Sequence, residues 1–367
     1  MITSIGRPAA VLPVYLRSAV RAARWDSITP PRVLRPQPPE FTPVEHIAHF
    51  SWDAPFSTIR YDLSNLGKFG EPTPNAQLLT GRRTFLQRNY DNNVAGHPRP
   101  LSYIVKACRA MGTLDHVKAA DVVTWRGILK NIMVGRSLQL RFSFKHRALY
   151  LDEVDKHGDR VLRGQLRDGY HGYSFENLCD EEPEEIPSLV EWCCVCSRML
   201  GGLRLVFGAE VDCVHGEYDG TSRNLVELKT RPQRNRRSGG QRRLWFVQSY
   251  LAGVPKLYVG FRSTSFTLTR GAWVSLADLL PPPETMNMMH RRLHNVLTEL
   301  RIFCEIRAQV SASAPRELWT ATVKNGVLTP PAFDGYASPT KRSPRLREEA
   351  QLMFPHSDTV MQTRQRT

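Results

Sequence analysis

The sequence contains no uninterrupted apolar run of the roughly 18 residues that a helix needs to cross a bilayer. We therefore expect no membrane-spanning segment and no membrane partner. It also lacks a P-loop, a dinucleotide-binding glycine fingerprint and an H-E-x-x-H zinc helix. The commonest signatures of nucleotide hydrolases, dehydrogenases and metalloproteases are therefore missing.

A second C-x-x-C pair is missing as well. Cys193 and Cys196 form one such pair among seven cysteines, but a structural zinc site needs four ligands. The odd number of cysteines and the adjacent Cys194 favour free thiols in a reducing compartment. We expect this apolar segment to be a helix with the thiols in the core, and metal binding is the alternative. His46 and His49, in an E-H-I-A-H string, are interpreted as ordinary residues of the fold.

Acidic residues are scarce in one stretch. The 367 residues include 50 Lys and Arg against 35 Asp and Glu, which gives a net charge of +15. Seven positive charges lie between Lys229 and Arg243, where there is no acid. This excess predicts an anionic partner, with nucleic acid as the first candidate. The basic segment is expected to be either a solvated loop or a flap that grips phosphate.

Three parts are predicted along the chain. Residues 1–40 are expected to form a flexible, basic, proline-rich arm, although their composition also overlaps with mitochondrial transit peptides. Residues 41–330 are expected to form one folded domain, and residues 331–367 a mobile basic tail.

Short apolar runs and longer amphipathic runs alternate within the middle part, which predicts a mixed α/β (α+β) domain. The expected strands cover residues 120–125, 138–144, 148–154, 203–213, 224–230, 256–262 and 265–268. The expected helices cover residues 101–111, 186–199, 244–252 and 284–310.

The acidic residues that point to chemistry lie on two of these strands. Glu210 and Asp212 are two residues apart, so a strand places both on one face. Glu227 and Lys229 repeat this spacing, with Leu228 on the opposite face. Fourteen residues separate Asp212 from Glu227, enough for a turn that brings the two strands side by side.

Three crowded carboxylates repel one another, and Lys229 alone would not compensate them. A bound Mg²⁺ or Mn²⁺ ion would compensate this negative charge, because both ions prefer oxygen ligands. Two such ions could activate a water and stabilise the leaving oxygen of a phosphate ester, with Lys229 orienting the water or phosphate. The spacing resembles the motif of the PD-(D/E)xK nucleases. The alternative is a solvated strand face with cross-strand ion pairs.

Further motifs flank these acids in a fixed order. The order is W-R-G at 125–127, G-Y-S-F-E at 172–176, E-V-D at 210–212, E-L-K at 227–229 and Q-S-Y-L-A-G-V-P at 248–255. In this order the sequence resembles the DXO (Dom3Z) family of RNA 5′-end decapping exoribonucleases. Ser174 departs from the family, which often has Lys there.

The resemblance implies a single large domain with two mixed β-sheets flanked by helices and site strands like those of PD-(D/E)xK nucleases. It also implies that the metal ligands are Glu176, Glu210, Asp212, Glu227 and the main-chain carbonyl of Leu228. Glu227, Lys229 and Gln248 would be catalytic, and Lys229 and Gln248 would contact the scissile phosphate or the attacking water.

Arg126 would bind the 5′ phosphates of RNA, because a planar guanidinium suits phosphate. The alternatives without a role in the site are an ion pair at the edge of the core for Arg126 and a position on a helix surface for Gln248.

The activity implied is a metal-dependent RNA 5′-end hydrolase that removes incomplete, triphosphate or NAD caps. Members of the family vary in whether they also degrade 5′-monophosphate RNA in the 5′→3′ direction. A monomer in the nucleus or cytoplasm is expected, with mitochondria as an alternative and a 5′→3′ exoribonuclease as the candidate protein partner. Two rival functions stay open, a PD-(D/E)xK DNA nuclease and a non-catalytic RNA-binding or exonuclease-partner protein.

Overall fold

The computed structural model describes residues 38–53, 58–91, 100–154, 159–233, 239–311 and 317–336. Residues 1–37, nearly all of the predicted arm, lie outside the described residues. So do residues 234–238 of the basic segment and residues 337–367 of the predicted tail.

Fifteen strands are found in the described residues. They are β1 (Glu45–Asp53), β2 (Thr58–Arg60), β3 (Gly67–Lys68), β4 (Val122–Trp125), β5 (Leu138–Lys145), β6 (Ala148–Glu153), β7 (Val190–Leu200), β8 (Leu203–Val211), β9 (Cys213–Val214), β10 (Leu225–Pro232), β11 (Lys256–Arg262), β12 (Leu268–Ser275), β13 (Glu317–Lys324), β14 (Val327–Leu328) and β15 (Ala332–Tyr336). β15 lies in the segment that was predicted to be a tail, and it pairs with β13.

The strands form two mixed sheets. The large sheet has ten strands in the order β14-β13-β5-β6-β4-β8-β7-β1-β2, with β15 beside β13. The small sheet has five strands in the order β12-β11-β10-β9-β3. β4 pairs in parallel with β6 and β8, and β10 pairs in parallel with β11, whereas most other pairs are antiparallel. The predicted two mixed sheets are therefore confirmed.

Seven α-helices and one short 3₁₀ helix accompany these sheets among the described residues. The α-helices are α1 (Arg82–Asp91), α2 (Ser102–Ala110), α3 (Leu114–Lys118), α4 (Arg126–Val134), α5 (Asp159–Leu178), α6 (Gly239–Ala252) and α7 (Pro283–Val310), and the 3₁₀ helix is Leu276–Leu279. In the part of the chain that is described, no helix combines the length and apolar character that a membrane crossing requires.

Both faces of the large sheet are covered, which explains its long buried strands. One face packs against apolar side chains of α4, α6 and α7, including Ile132, Val247 and Leu297. The other face packs against α2 and α5, including Ile104 and Tyr170. A third core lies between the small sheet and the end of α5, where Phe175 meets Leu228.

The helix predicted over residues 186–199 is wrong, because this segment contains the central strand β7. Cys194 and Cys196 face one core while Cys193 and Val195 face the other. A strand buried on both faces has an uninterrupted apolar sequence, which has no period that would distinguish it from a buried helix. All seven cysteines are nonetheless free and buried, as predicted. The strand predicted over residues 265–268 is displaced too, since β12 begins at Leu268.

Candidate active site

Four carboxylates approach one another where the large sheet meets the small sheet. Glu210 is near the end of β8, and Asp212 follows that strand as the chain crosses to β9. Glu227 lies on β10, and Glu176 lies in the last turn of α5. The negative charges of the other three carboxylates all act on Glu176. The acids predicted from the sequence are therefore neighbours.

The strands that carry these acids are arranged differently from the prediction. β8 belongs to the large sheet and does not pair with β10. The two-residue strand β9 pairs with β10 instead, with Cys213 opposite Val226. The predicted alternation of faces is confirmed, because Val211 and Leu228 both pack into apolar cores. The junction between the sheets thus collects the acids.

Lys229 connects the two strands. Its Nζ donates hydrogen bonds to Asp212 Oδ2 at 3.1 Å, to Glu227 Oε2 at 2.8 Å and to the Leu228 carbonyl at 2.8 Å. The main-chain N–H of Leu228 also donates to Asp212 Oδ2, at 2.6 Å. Three of the predicted metal-binding groups therefore surround one ammonium group.

Two further side chains donate to Glu227, whose carboxylate is fully buried. Arg126, the first residue of α4, donates through Nη1 to Oε1 at 2.5 Å. Gln248 of α6 donates through Nε2 to Oε2 at 2.8 Å. Arg126 thus forms the ion pair that was its alternative interpretation, although in the site rather than at a core edge. Gln248 lies in the site and not on a helix surface.

The pKa values show that negative charge is unevenly compensated. Burial raises the pKa of Asp212 to about 6, although Lys229 opposes the effect. Burial and the charge of Asp212 hold the pKa of Glu176 well above its usual range. Burial would also raise the pKa of Glu227, but the facing Arg126 and Lys229 lower it to about 2. Glu176 and Asp212 therefore favour an additional positive charge.

Close packing at two glycines fixes the elements that present these groups. A Cβ atom on Gly208 would lie 2.4 Å from the Trp125 ring, so the W-R-G motif packs directly on β8. A Cβ atom on Gly260 of β11 would lie 2.3 Å from the Phe175 ring, next to Glu176. These contacts need glycine, because any side chain would displace an aromatic ring. Because Trp125 precedes Arg126 and Phe175 precedes Glu176, the two contacts also fix the positions of these site residues.

A cleft of about 530 Å³ opens beside the acids. Glu176, Glu210 and Asp212 line it. Most of the acidic run after α5 lines it as well, including Asp180 and Glu181. The run therefore borders the site. This wall attracts cations, so we expect the polyanionic part of a substrate to approach from another side.

Lys130 is a basic residue near the site that the sequence analysis missed. It lies one helical turn after Arg126 on α4, and the charges of Arg126, Glu227 and Lys229 all act on it. Burial lowers its pKa, and the neighbouring Arg126 and Arg136 lower it further. The spacing of four residues from Arg126 was the available signal, because such pairs share a helix face.

The donor set suits a hard divalent cation. Four carboxylates face two cations, Arg126 and Lys229, so complete ionisation leaves a charge of 2 − 4 = −2. Every predicted ligand atom is an oxygen, as Mg²⁺ and Mn²⁺ require. Glu176, Glu210, Asp212, Glu227 and the Leu228 carbonyl would hold such an ion.

A sequence model described as RAI1-like PD-(D/E)XK nuclease matches residues 42–304 of this chain. The decapping nuclease RAI1 of Mycosarcoma maydis is 33% identical over 255 residues, which cover 53% of this chain and 50% of the relative. The decapping and exoribonuclease protein of Bos taurus is 31% identical over 171 residues, which cover 40% of this chain and 43% of the relative. The chain thus spans about half the length of the curated relatives it matches.

Solved structures agree in fold. S. pombe Rai1 in complex with 3′-FADP superposes with a TM-score of 0.64 at 19% identity, over 81% of this chain and 95% of that one. Candida albicans Rai1 in complex with pU5-Mn²⁺ gives a TM-score of 0.64 at 14% identity, over 86% of this chain and 97% of that one. The family match includes every carboxylate of the site and confirms the resemblance found in the sequence. This chain belongs to the RAI1-like PD-(D/E)XK nuclease family.

Proposed function

We propose that this protein is a metal-dependent hydrolase that acts on the 5′ ends of RNA. The observation that carries the proposal is the convergence of Glu176, Glu210, Asp212 and Glu227, two of which bind the Lys229 ammonium group. A site that only supported the fold would not need four carboxylates with two raised pKa values, since such crowding is unfavourable. Crowded acids of this kind are typical of sites that bind metal for catalysis.

Two divalent ions, Mg²⁺ or Mn²⁺, would polarise the scissile phosphate and lower the pKa of a bound water. Lys229 is held by two carboxylates, so its ammonium group is positioned to contact the phosphate or the attacking water. Gln248 can orient the water through its amide. Arg126 would exchange part of its interaction with Glu227 for the 5′ phosphates, and Lys130 would add positive charge there.

The names of the relatives support RNA ends as the substrate. They are called decapping nucleases and decapping and exoribonuclease proteins. Among the structural neighbours, one Scheffersomyces stipitis Rai1 structure contains (3′-NADP)⁺ and calcium, and a K. lactis Dxo1 structure contains manganese. On this basis we propose removal of incomplete, triphosphate or NAD caps, with 5′→3′ degradation of monophosphate RNA as a further activity. The exoribonuclease partner and the monomeric state stay predictions.

The test uses RNAs that are labelled just inside the 5′ end and carry triphosphate, an unmethylated cap, a methylated cap, NAD or monophosphate. Each is incubated with the full chain in Mg²⁺ or Mn²⁺. We expect wild type to release the 5′ group or the first nucleotides, and Glu210→Gln/Asp212→Asn to be inactive. Glu181→Gln is the matched control, because it removes a charge from the same cleft outside the ligand set.

Three other results would contradict the proposal. Binding of these RNAs without cleavage in either metal would favour a non-catalytic RNA-binding protein. Faster cleavage of duplex DNA than of any RNA would favour the DNA nuclease. Equal activity of the Glu210→Gln/Asp212→Asn variant would place the chemistry elsewhere.

A further inference from the structure

A second cluster of metal-binding side chains lies on the other face of the large sheet from Glu210. It consists of His46 on β1 and of Cys194 and Cys196 on β7, whose ligand atoms all lie within 4.8 Å of one another. Its two thiols pack in the core that also contains Ala209, while Glu210 points to the opposite face. The candidate active site does not use these residues.

The strand register explains why these residues meet. β1 and β7 are antiparallel neighbours, with His46 opposite Cys196 and His49 opposite Cys194. The two cysteines are two residues apart on one strand, so they share a face. The C-x-x-C motif of Cys193 and Cys196 is misleading for the same reason, since its members point to opposite faces.

The distances fit a tetrahedral metal site. Cys194 Sγ and Cys196 Sγ are 3.6 Å apart. A tetrahedral Zn²⁺ with two sulfurs at about 2.3 Å would place them about 3.8 Å apart. A disulfide would instead need a separation of about 2.0 Å. The pair is therefore spaced as two ligands of one ion.

The imidazole of His46 is oriented as a ligand. Its Nε2 lies 2.9 Å from the carbonyl oxygen of Ala252, which can only accept, so Nε2 carries the proton. Its Nδ1 faces Tyr218 Oη at 3.4 Å and the thiol of Cys194. Metal-binding histidines usually donate their other ring N–H to a carbonyl or carboxylate in this way, which fixes the tautomer.

We propose that His46, Cys194 and Cys196 bind one Zn²⁺ ion as three of its ligands. Thiolate and imidazole ligands select Zn²⁺ over Mg²⁺ and Mn²⁺, which prefer oxygen. His49 lies opposite Cys194 across the strand pair but outside this group of ligand atoms. The ion would tie β1 to β7 and, through Ala252, to the end of the helix that carries Gln248.

Cobalt substitution tests this site in the full chain. The protein is freed of metal with a chelator and titrated with Co²⁺ under reducing conditions. We expect one Co²⁺ per chain to give thiolate-to-cobalt charge-transfer absorption, which Zn²⁺ abolishes and excess Mg²⁺ leaves unchanged. A Co²⁺ ion bound at the carboxylates gives no such band, so the two sites are distinguishable.

Variants assign the band to its ligands. Cys194→Ala/Cys196→Ala should lose it, and Cys108→Ala/Cys304→Ala should keep it, since that control removes two buried thiols outside the cluster. His49→Ala, which removes a neighbouring imidazole outside the ligand group, should also keep the band. Absence of the band in wild type overturns the proposal without any variant, and so does its survival in Cys194→Ala/Cys196→Ala.

Discussion

Arg126 and Glu227 form a buried ion pair that joins the large sheet to the small one. Arg126 follows directly after β4, Glu227 lies on β10, and the two residues are 101 positions apart in the sequence. Because both side chains are almost inaccessible to water, each depends on the other for compensation of its charge. The pair therefore belongs both to the candidate site and to the stability of the fold.

Replacing Arg126 by Met should destabilise the metal-free protein. We expect a loss of about 3 kcal/mol in the free energy of unfolding, because the buried Glu227 carboxylate loses its partner while Lys229 and Gln248 remain. Urea denaturation followed by circular dichroism measures this loss. Arg141→Met, which breaks a half-exposed pair with Asp334, should cost less than about 1 kcal/mol. Equal losses in the two variants would contradict the argument.

Two glycines near the site, Gly208 and Gly127, should respond oppositely to alanine. Gly208→Ala pushes a methyl group into the Trp125 ring, so we expect a loss of about 1–3 kcal/mol. Gly127 lies in α4 with no atom within 4 Å of an added Cβ, and Gly127→Ala should be neutral or stabilising by up to about 1 kcal/mol. Thermal unfolding of both variants tests this difference. A stability loss for Gly127→Ala that equals or exceeds the loss for Gly208→Ala would contradict this packing argument.

Stabilisation by Mn²⁺ should increase with pH. Asp212 has a pKa of about 6 in the folded metal-free protein, above its ordinary value of 3.8. Its proton stabilises the metal-free fold below about pH 4, and that contribution is lost as the pH rises through 6. The proton competes with the metal, so the rise in Tm caused by Mn²⁺ should be small at pH 5 and larger at pH 7.

The control for this prediction is Glu210→Gln/Asp212→Asn. Its Tm should respond little to Mn²⁺ at either pH, because both carboxylates have lost the charge that attracts the ion. A pH-independent Tm rise in wild type would indicate that Asp212 does not bind the metal.

Lys130→Met should weaken the binding of 5′-monophosphate RNA by about fivefold, since one cation near a phosphate contributes on the order of 1 kcal/mol. We also expect the slope of log Kobs against log salt to fall by about 0.7, the value for one phosphate contact on a single strand. Fluorescence anisotropy at several salt concentrations measures both effects. Lys118→Met, which removes an exposed lysine paired with Asp115, is the control and should change neither. An unchanged slope for Lys130→Met would place its charge away from the RNA.

The sequence was most informative where the chemistry follows strand alternation. Glu210 lies near the end of β8 and Asp212 directly follows that strand, while Glu227 and Lys229 share β10, so a period of two residues was enough to pair them. The contacts of Glu227 with Arg126 and Gln248 connect residues 101 and 21 positions apart, which no local period encodes. Their presence in the site was accessible only through the order of the family motifs.

The same limit explains the error at β7. Its buried segment Trp192–Cys196 contains no polar residue that would mark a period, and the cysteine spacing that stands out in the sequence is C-x-x-C. The pairing that matters is set by the register between β1 and β7, which places His46 opposite Cys196. Register across a sheet depends on which strands become neighbours, so inspection of either segment alone could not reveal the His–Cys cluster.

Asp212 stands at the point where one continuous backbone leaves the large sheet and enters the small one. The distance between Glu210 and Asp212 is therefore set by covalent geometry, whereas their distance from Glu227 depends on how the two sheets are aligned. If one sheet slid slightly past the other, the distances between the carboxylates of the two sheets would change, although every ligand would stay the same. Substitutions in the apolar layer behind β8 and β10 would then tune metal affinity from a distance, and a bound ion would in turn resist that sliding.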